Sequence, residues 1–69
     1  DIIIKRTIES FLSDLQADSR KIFIRRYWYM CSVKEIAEEY SISESKVCVS
    51  LYRTRESLRK KLEEEGIAV

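Results

Sequence analysis

The side chains most able to do chemistry in this chain sit close together: Ser45, Lys46, Val49, Ser50 and Arg53. If a helix runs through them with Val47 and Leu51 facing inward, all of them fall outside, with Cys48 at the flank. That set suits duplex DNA. Ser45 and Ser50 can hydrogen-bond base edges, and Val49 can meet a thymine methyl. Lys46 fits a guanine edge or a phosphate, and Arg53 fits a phosphate. Glu44 opposes DNA unless it accepts from a cytosine amino group or points away. A second anion site is expected at Ser32, Val33 and Lys34, where a helix would begin, because helix amides and the helix dipole favour a phosphate. The plain alternative is that Lys46 and Arg53 only solubilise a surface.

The elements that must position these residues are legible around them. Ser32 can cap a helix, and Glu35 can return to the Ser32 amide as a capping box. Val33, Ile36, Ala37 and Tyr40 then share one helical face. Tyr40-Ser41-Ile42-Ser43 breaks that pattern, and Ser43 offers a new cap to a helix whose inner face starts with Val47 and Leu51. Short helices crossing steeply on a few apolar side chains make a helix-turn-helix, whose second helix can enter a major groove. Ser41 stands where such turns usually carry Gly, so it must accept an uncomfortable backbone or the turn must differ.

Helices are expected over about 3–15, 18–29, 33–40 and 44–64, giving a single all-α, four-helix domain with a long C-terminal recognition helix. In the first, Ile4, Ile8, Phe11, Leu12 and Leu15 form an apolar stripe, with Ile3 off it. In the second, Ile22, Phe23 and Tyr27 share a face beside Ile24 and Trp28, and Tyr27-Trp28-Tyr29-Met30 is read as bulk for a small core rather than a stacking platform for bases. Arg20, Lys21, Arg25 and Arg26 read as a solvated face rather than a phosphate clamp. In the fourth, Val47, Leu51, Thr54, Leu58 and Leu62 continue one stripe past any groove, so its second half should pack on an earlier helix or a partner. Gly66 is the expected stop, and Glu63, Glu64 and Glu65 oppose the dipole there.

Composition narrows the rest. The 69 residues contain no Pro and one Gly, which favours one helical domain, and 36% of them are charged. Charge is segregated into blocks, basic over 20–30 and 44–62, so a net charge of +1 conceals a basic face. The chain has no His, which excludes His-ligated zinc sites, Cys-His pairs and Ser-His-Asp triads within it. Cys31 and Cys48 have no CxxC spacing, and nothing points to a secreted disulfide. No enzyme chemistry, cofactor or membrane span is readable, and no leader peptide is visible. The opening residues carry neither an arm nor a cap signal, as in a piece of a longer protein, although an intact small protein would also fit.

The run Arg20 to Tyr29, then Ser32-Val33-Lys34-Glu35-Ile36-Ala37, Ser41-Ile42-Ser43, Val47 and Leu51 to Arg59, resembles region four, the C-terminal domain of bacterial sigma-70 family factors. It is most similar to the small extracytoplasmic-function group, over about Leu15 to Gly66. The resemblance implies cytoplasmic recognition of the −35 promoter element and docking on the RNA polymerase β-subunit flap. It also implies a separate domain for the −10 element and masking by an anti-sigma protein. By position, Ser45, Lys46, Val49, Ser50 and Arg53 match the family's DNA-facing residues. Members often have Lys-Ser-Arg where this chain has Cys48-Val49-Ser50, and Gly where Ser41 and Ser45 stand, so promoter sequence does not transfer. Val49 and Ser50 become the places to look for promoter preference. Other readings are a dimeric helix-turn-helix regulator, with the long fourth helix as its seam, and a protein-interaction domain in which Ile4, Ile8, Leu58 and Leu62 form a groove for a partner helix.

Overall fold

The computed structural model describes residues 2–66. Its helices are α1 (Ile2–Asp14), α2 (Ala17–Tyr27), α3 (Val33–Tyr40) and α4 (Glu44–Glu64), and the described residues form no strand. The boundaries of α3 and α4 are those the caps and stripes predict.

Local hydrogen bonds account for the motif. At the start of α3 the Glu35 amide donates to Ser32 Oγ at 3.1 Å, and the Ser32 amide donates to Glu35 Oε1 at 2.8 Å. Ser41 ends α3 in the left-handed conformation at φ 55° and ψ 45°, the conformation that would suit Gly. The Ile42 amide reaches back to the Ala37 carbonyl at 3.0 Å, which folds the turn under α3. Ser43 Oγ then accepts from the Lys46 amide at 3.1 Å and starts α4.

The core is small and lies at this corner. Ile22, Ile36, Ala37, Val47 and Leu51 are buried together, with Ile36 and Val47 at 0% exposure. Phe23, Cys31, Val33, Tyr40 and Ile42 close over them. Thus α2 supplies the third wall that holds α3 and α4 at their angle. Leu58 and Leu62 are half-buried on the second half of α4, and α4 also packs on α1. Gly66, at φ 75°, follows the end of α4 and donates to the Glu63 carbonyl at 3.0 Å.

Two expectations are corrected. The first concerns the aromatic run. Tyr27, Trp28, Tyr29 and Met30 are exposed rather than core, with Trp28 at 74% and Met30 at 78%. The reason is that α2 stops at Tyr27, not at 29. Trp28 and Tyr29 amides both return to the Ile24 carbonyl, Met30 takes φ 59°, and the Cys31 amide closes on the Arg25 carbonyl at 2.9 Å. The run forms the outside of a tight reversal, where helical spacing no longer points side chains inward.

The second concerns α1. Only Phe11 of its apolar stripe is buried, and the other buried residue is Thr7, while Ile8, Leu12 and Leu15 are half-buried and Ile4 is exposed. The main neighbour of α1 is α4, and a helix laid against one neighbour buries a strip narrower than its apolar face. On α4 a threonine, Thr54, is likewise buried. Ile8 and Leu12 stay at the flank, half-buried.

Candidate nucleic-acid interface

The exposed start of α4 brings the expected DNA-facing residues together. Ser45, Lys46, Val49, Ser50 and Arg53 line one open cleft of about 420 Å³, whose far side is formed by Ser19 and Ile22 of α2 and by Ile42 of the turn. Ser45, Lys46 and Arg53 are exposed, Val49 is 47% exposed, and Ser50 is half-buried against α2. The inner stripe of Val47, Leu51 and Thr54 fixes this orientation by burying the opposite side of the helix.

The cations sort into structural and uncommitted groups. Arg20 Nη1 donates to the Leu12 carbonyl at 3.3 Å, tying the end of α1 to α2. Arg25 pairs with Glu39 at 2.8 Å, donates to Tyr40 Oη at 3.5 Å and lies 5.3 Å from the centre of the Tyr29 ring. The Tyr40 hydrogen bond, then the Glu39 charge, raise the Arg25 pKa. Arg26 donates to the Cys31 carbonyl at 3.1 Å and braces the reversal. On α4, Arg55 donates to Tyr27 Oη at 2.8 Å, and Arg59 bridges Glu56 at 3.2 Å and Glu63 at 2.8 Å. Among the described residues, Lys46 and Arg53 make no side-chain hydrogen bond or ion pair. The arginines of the 20–26 block therefore staple the fold, while Lys46 and Arg53, which line the cleft, are not tied to it in this way.

Ser32 and Lys34 lie elsewhere. Lys34 is exposed in the first turn of α3 and lines a separate shallow hollow with Glu38, Ser43 and Glu44 on the other side of the turn. The Ser32 amide is already taken by Glu35, whose carboxyl is held below its usual range mainly by that backbone hydrogen bond. An anion at this end would meet Lys34 beside a carboxylate, a weaker site than the amides alone imply. Glu44 faces this hollow, away from the α2–α4 cleft.

Sequence reasoning passed over Tyr52 and Ser19. Tyr52 is 60% exposed and continues the outward row of Ser45 and Val49 at helical spacing. That row could have been extended from sequence. Ser19 joins the cleft only through the packing of α2 on α4, which no local pattern announces. Ile4, Ile8, Leu58 and Leu62 lie on α1 and the second half of α4; Ile4 is exposed and the other three are half-buried. Both cysteines are free thiols. Among the described residues, no cluster could hold a metal ion, and no helix is long and apolar enough to cross a membrane.

Three helices locked around one corner, with the last presenting an exposed polar and basic start, define a helix-turn-helix DNA-binding domain. The chain matches the family described as Sigma-70, region 4, over residues 5–58, and it belongs to that family. The match takes in most of α1, which the resemblance by motif had left out. Region 4 is the domain through which sigma factors bind the −35 promoter element, and it works with RNA polymerase in transcription initiation. It is not a catalytic family, and neither the dimeric-regulator nor the protein-interaction reading is favoured. No curated protein matches the chain.

Proposed function

We propose that the start of α4 reads the −35 element through Ser45, Lys46, Val49, Ser50 and Arg53, with Tyr52 extending the outward row and Lys34 meeting a phosphate beside Ser32. The observation that carries this is the pair Lys46 and Arg53, exposed and uncommitted in one cleft with the short polar residues. Ser45 and Val49 point outward and carry sequence preference; the two cations carry affinity. The domain belongs to a larger cytoplasmic factor of the extracytoplasmic-function type, with the −10 element read by another domain. It docks on the polymerase β-subunit flap, with Ile4 and Ile8 of α1 and Leu58 and Leu62 of α4 as the partner-binding residues. Selection of bound sequences from a randomised duplex library, followed by anisotropy titration, tests the assignment. Alanine at Lys46 or Arg53 is expected to weaken binding by about 1.5–3 kcal/mol, the range for a charge-assisted hydrogen bond. Val49→Ala is expected to change which sequences are selected. Unchanged affinity and unchanged selection would remove these residues from the interface.

A further inference from the structure

We infer that α2, which lies outside the helix-turn-helix, completes the DNA surface: the cleft between the start of α2 and α4 seats one sugar–phosphate strand, and Ser19 donates its hydroxyl to a phosphate there. The inference rests on α4 being the DNA-reading helix, and it adds an element and a residue to that surface.

The geometry of α4 divides its residues into two ridges. Lys46, Ser50 and Arg53 recur at i, i+4 and i+7, so they form one ridge, and the half-burial of Ser50 turns that ridge toward α2. Ser45, Val49 and Tyr52 form the next ridge outward. A helix lying in a major groove presents its outermost ridge to base edges and its flank to a backbone strand. The flanking ridge faces Ser19 across the open cleft of about 420 Å³.

The lining fits the chemistry of that strand. Lys46 and Arg53 supply charge for non-bridging phosphate oxygens, and Ser19 and Ser50 supply neutral donors. Ile42 gives apolar surface for a deoxyribose ring. Charge complementarity and continuity with the base-facing ridge both select nucleic-acid backbone as the occupant. Ser19 is a positioning residue. It fixes how deeply α4 sits, and being neutral it releases no counterion when it binds.

The test uses this chain and a short random-sequence duplex at low salt, followed by anisotropy. Ser19→Ala is expected to weaken binding about tenfold or more whatever the sequence, as for one hydrogen bond to an ionised acceptor. Ser19→Arg adds a charge at the same phosphate and should steepen the log-affinity against log-salt slope by about 0.9, while Lys46→Ala and Arg53→Ala should each flatten it by about 0.9. Circular dichroism confirms that each variant keeps its helices, and Ser19→Arg reads the position of residue 19 independently of any loss in Ser19→Ala. If the Lys46 and Arg53 variants respond while both Ser19 variants bind as the parent does, the strand seat is wrong and the DNA-reading helix stands. If all variants bind with the parent's affinity and slope, α4 is not the DNA-reading helix and the inference falls with it.

Discussion

Glu35 makes the acid sensitivity of the motif a property of one carboxylate. It accepts from the Ser32 amide, and that bond lowers its pKa from an ordinary value of 4.5. A group with a depressed folded pKa contributes stability in full above its unfolded value and loses it as pH falls through the folded value. The capping box should therefore be fully formed above about pH 4.5 and open progressively in more acid solution. Side-chain NMR titration checks this: the Glu35 midpoint should lie below those of exposed glutamates, and Glu35→Gln should remove that part of the acid response. An ordinary midpoint would mean that the box is not populated. Ser32 then serves chiefly to start α3, so Lys34 alone remains for a phosphate at this end.

At the scale of elements, the corner between α3 and α4 is strained at one residue. Ser41 occupies the left-handed region at φ 55°, where a side chain costs energy that Gly does not pay. Ser41→Gly should raise unfolding free energy by about 1 kcal/mol with an unchanged urea m-value; a loss of stability would show that the Ser41 side chain supports the turn. This corner was legible because its determinants are local: caps at Ser32 and Ser43 lie within a turn of what they cap, and Val47 and Leu51 repeat at helix spacing. The end of α2 was not, because Met30 adopts a left-handed conformation with no Gly to announce it. The face of α1 was not, because it is set by packing on α4, far away in the sequence, which buries Thr7 beside Phe11 rather than the whole apolar stripe. The site divides the same way. Residues 45 to 53 followed from one helix, whereas Ser19 required knowing which helix lies beside it.

At the scale of the molecule, the domain is elongated, about 37 by 18 by 18 Å. The corner carries the cleft, and the length comes from α4 running on beside α1. With Lys34, Lys46 and Arg53 as the proposed cations toward DNA, the domain would neutralise about three phosphates. Its affinity for a duplex should then fall about fortyfold between 50 and 200 mM salt, starting from a weak dissociation constant of about 1 µM or above. Tethering to polymerase raises its effective concentration at the promoter and supplies the missing affinity. Anisotropy of the isolated chain, compared with the same chain fused to a second DNA-binding module, measures both terms. Nanomolar binding by a dimer of the isolated chain would contradict the tethering account.

The reversal after α2 has an optical consequence. Trp28 is the sole tryptophan in the sequence, stands 74% exposed on that reversal and does not line the α2–α4 cleft. The unmodified chain therefore carries its own fluorophore with the red-shifted emission of hydrated indole. A protein seated over the reversal would move that emission to the blue. Occupancy of that surface can be followed by wavelength alone, in the same cuvette where anisotropy follows a labelled duplex.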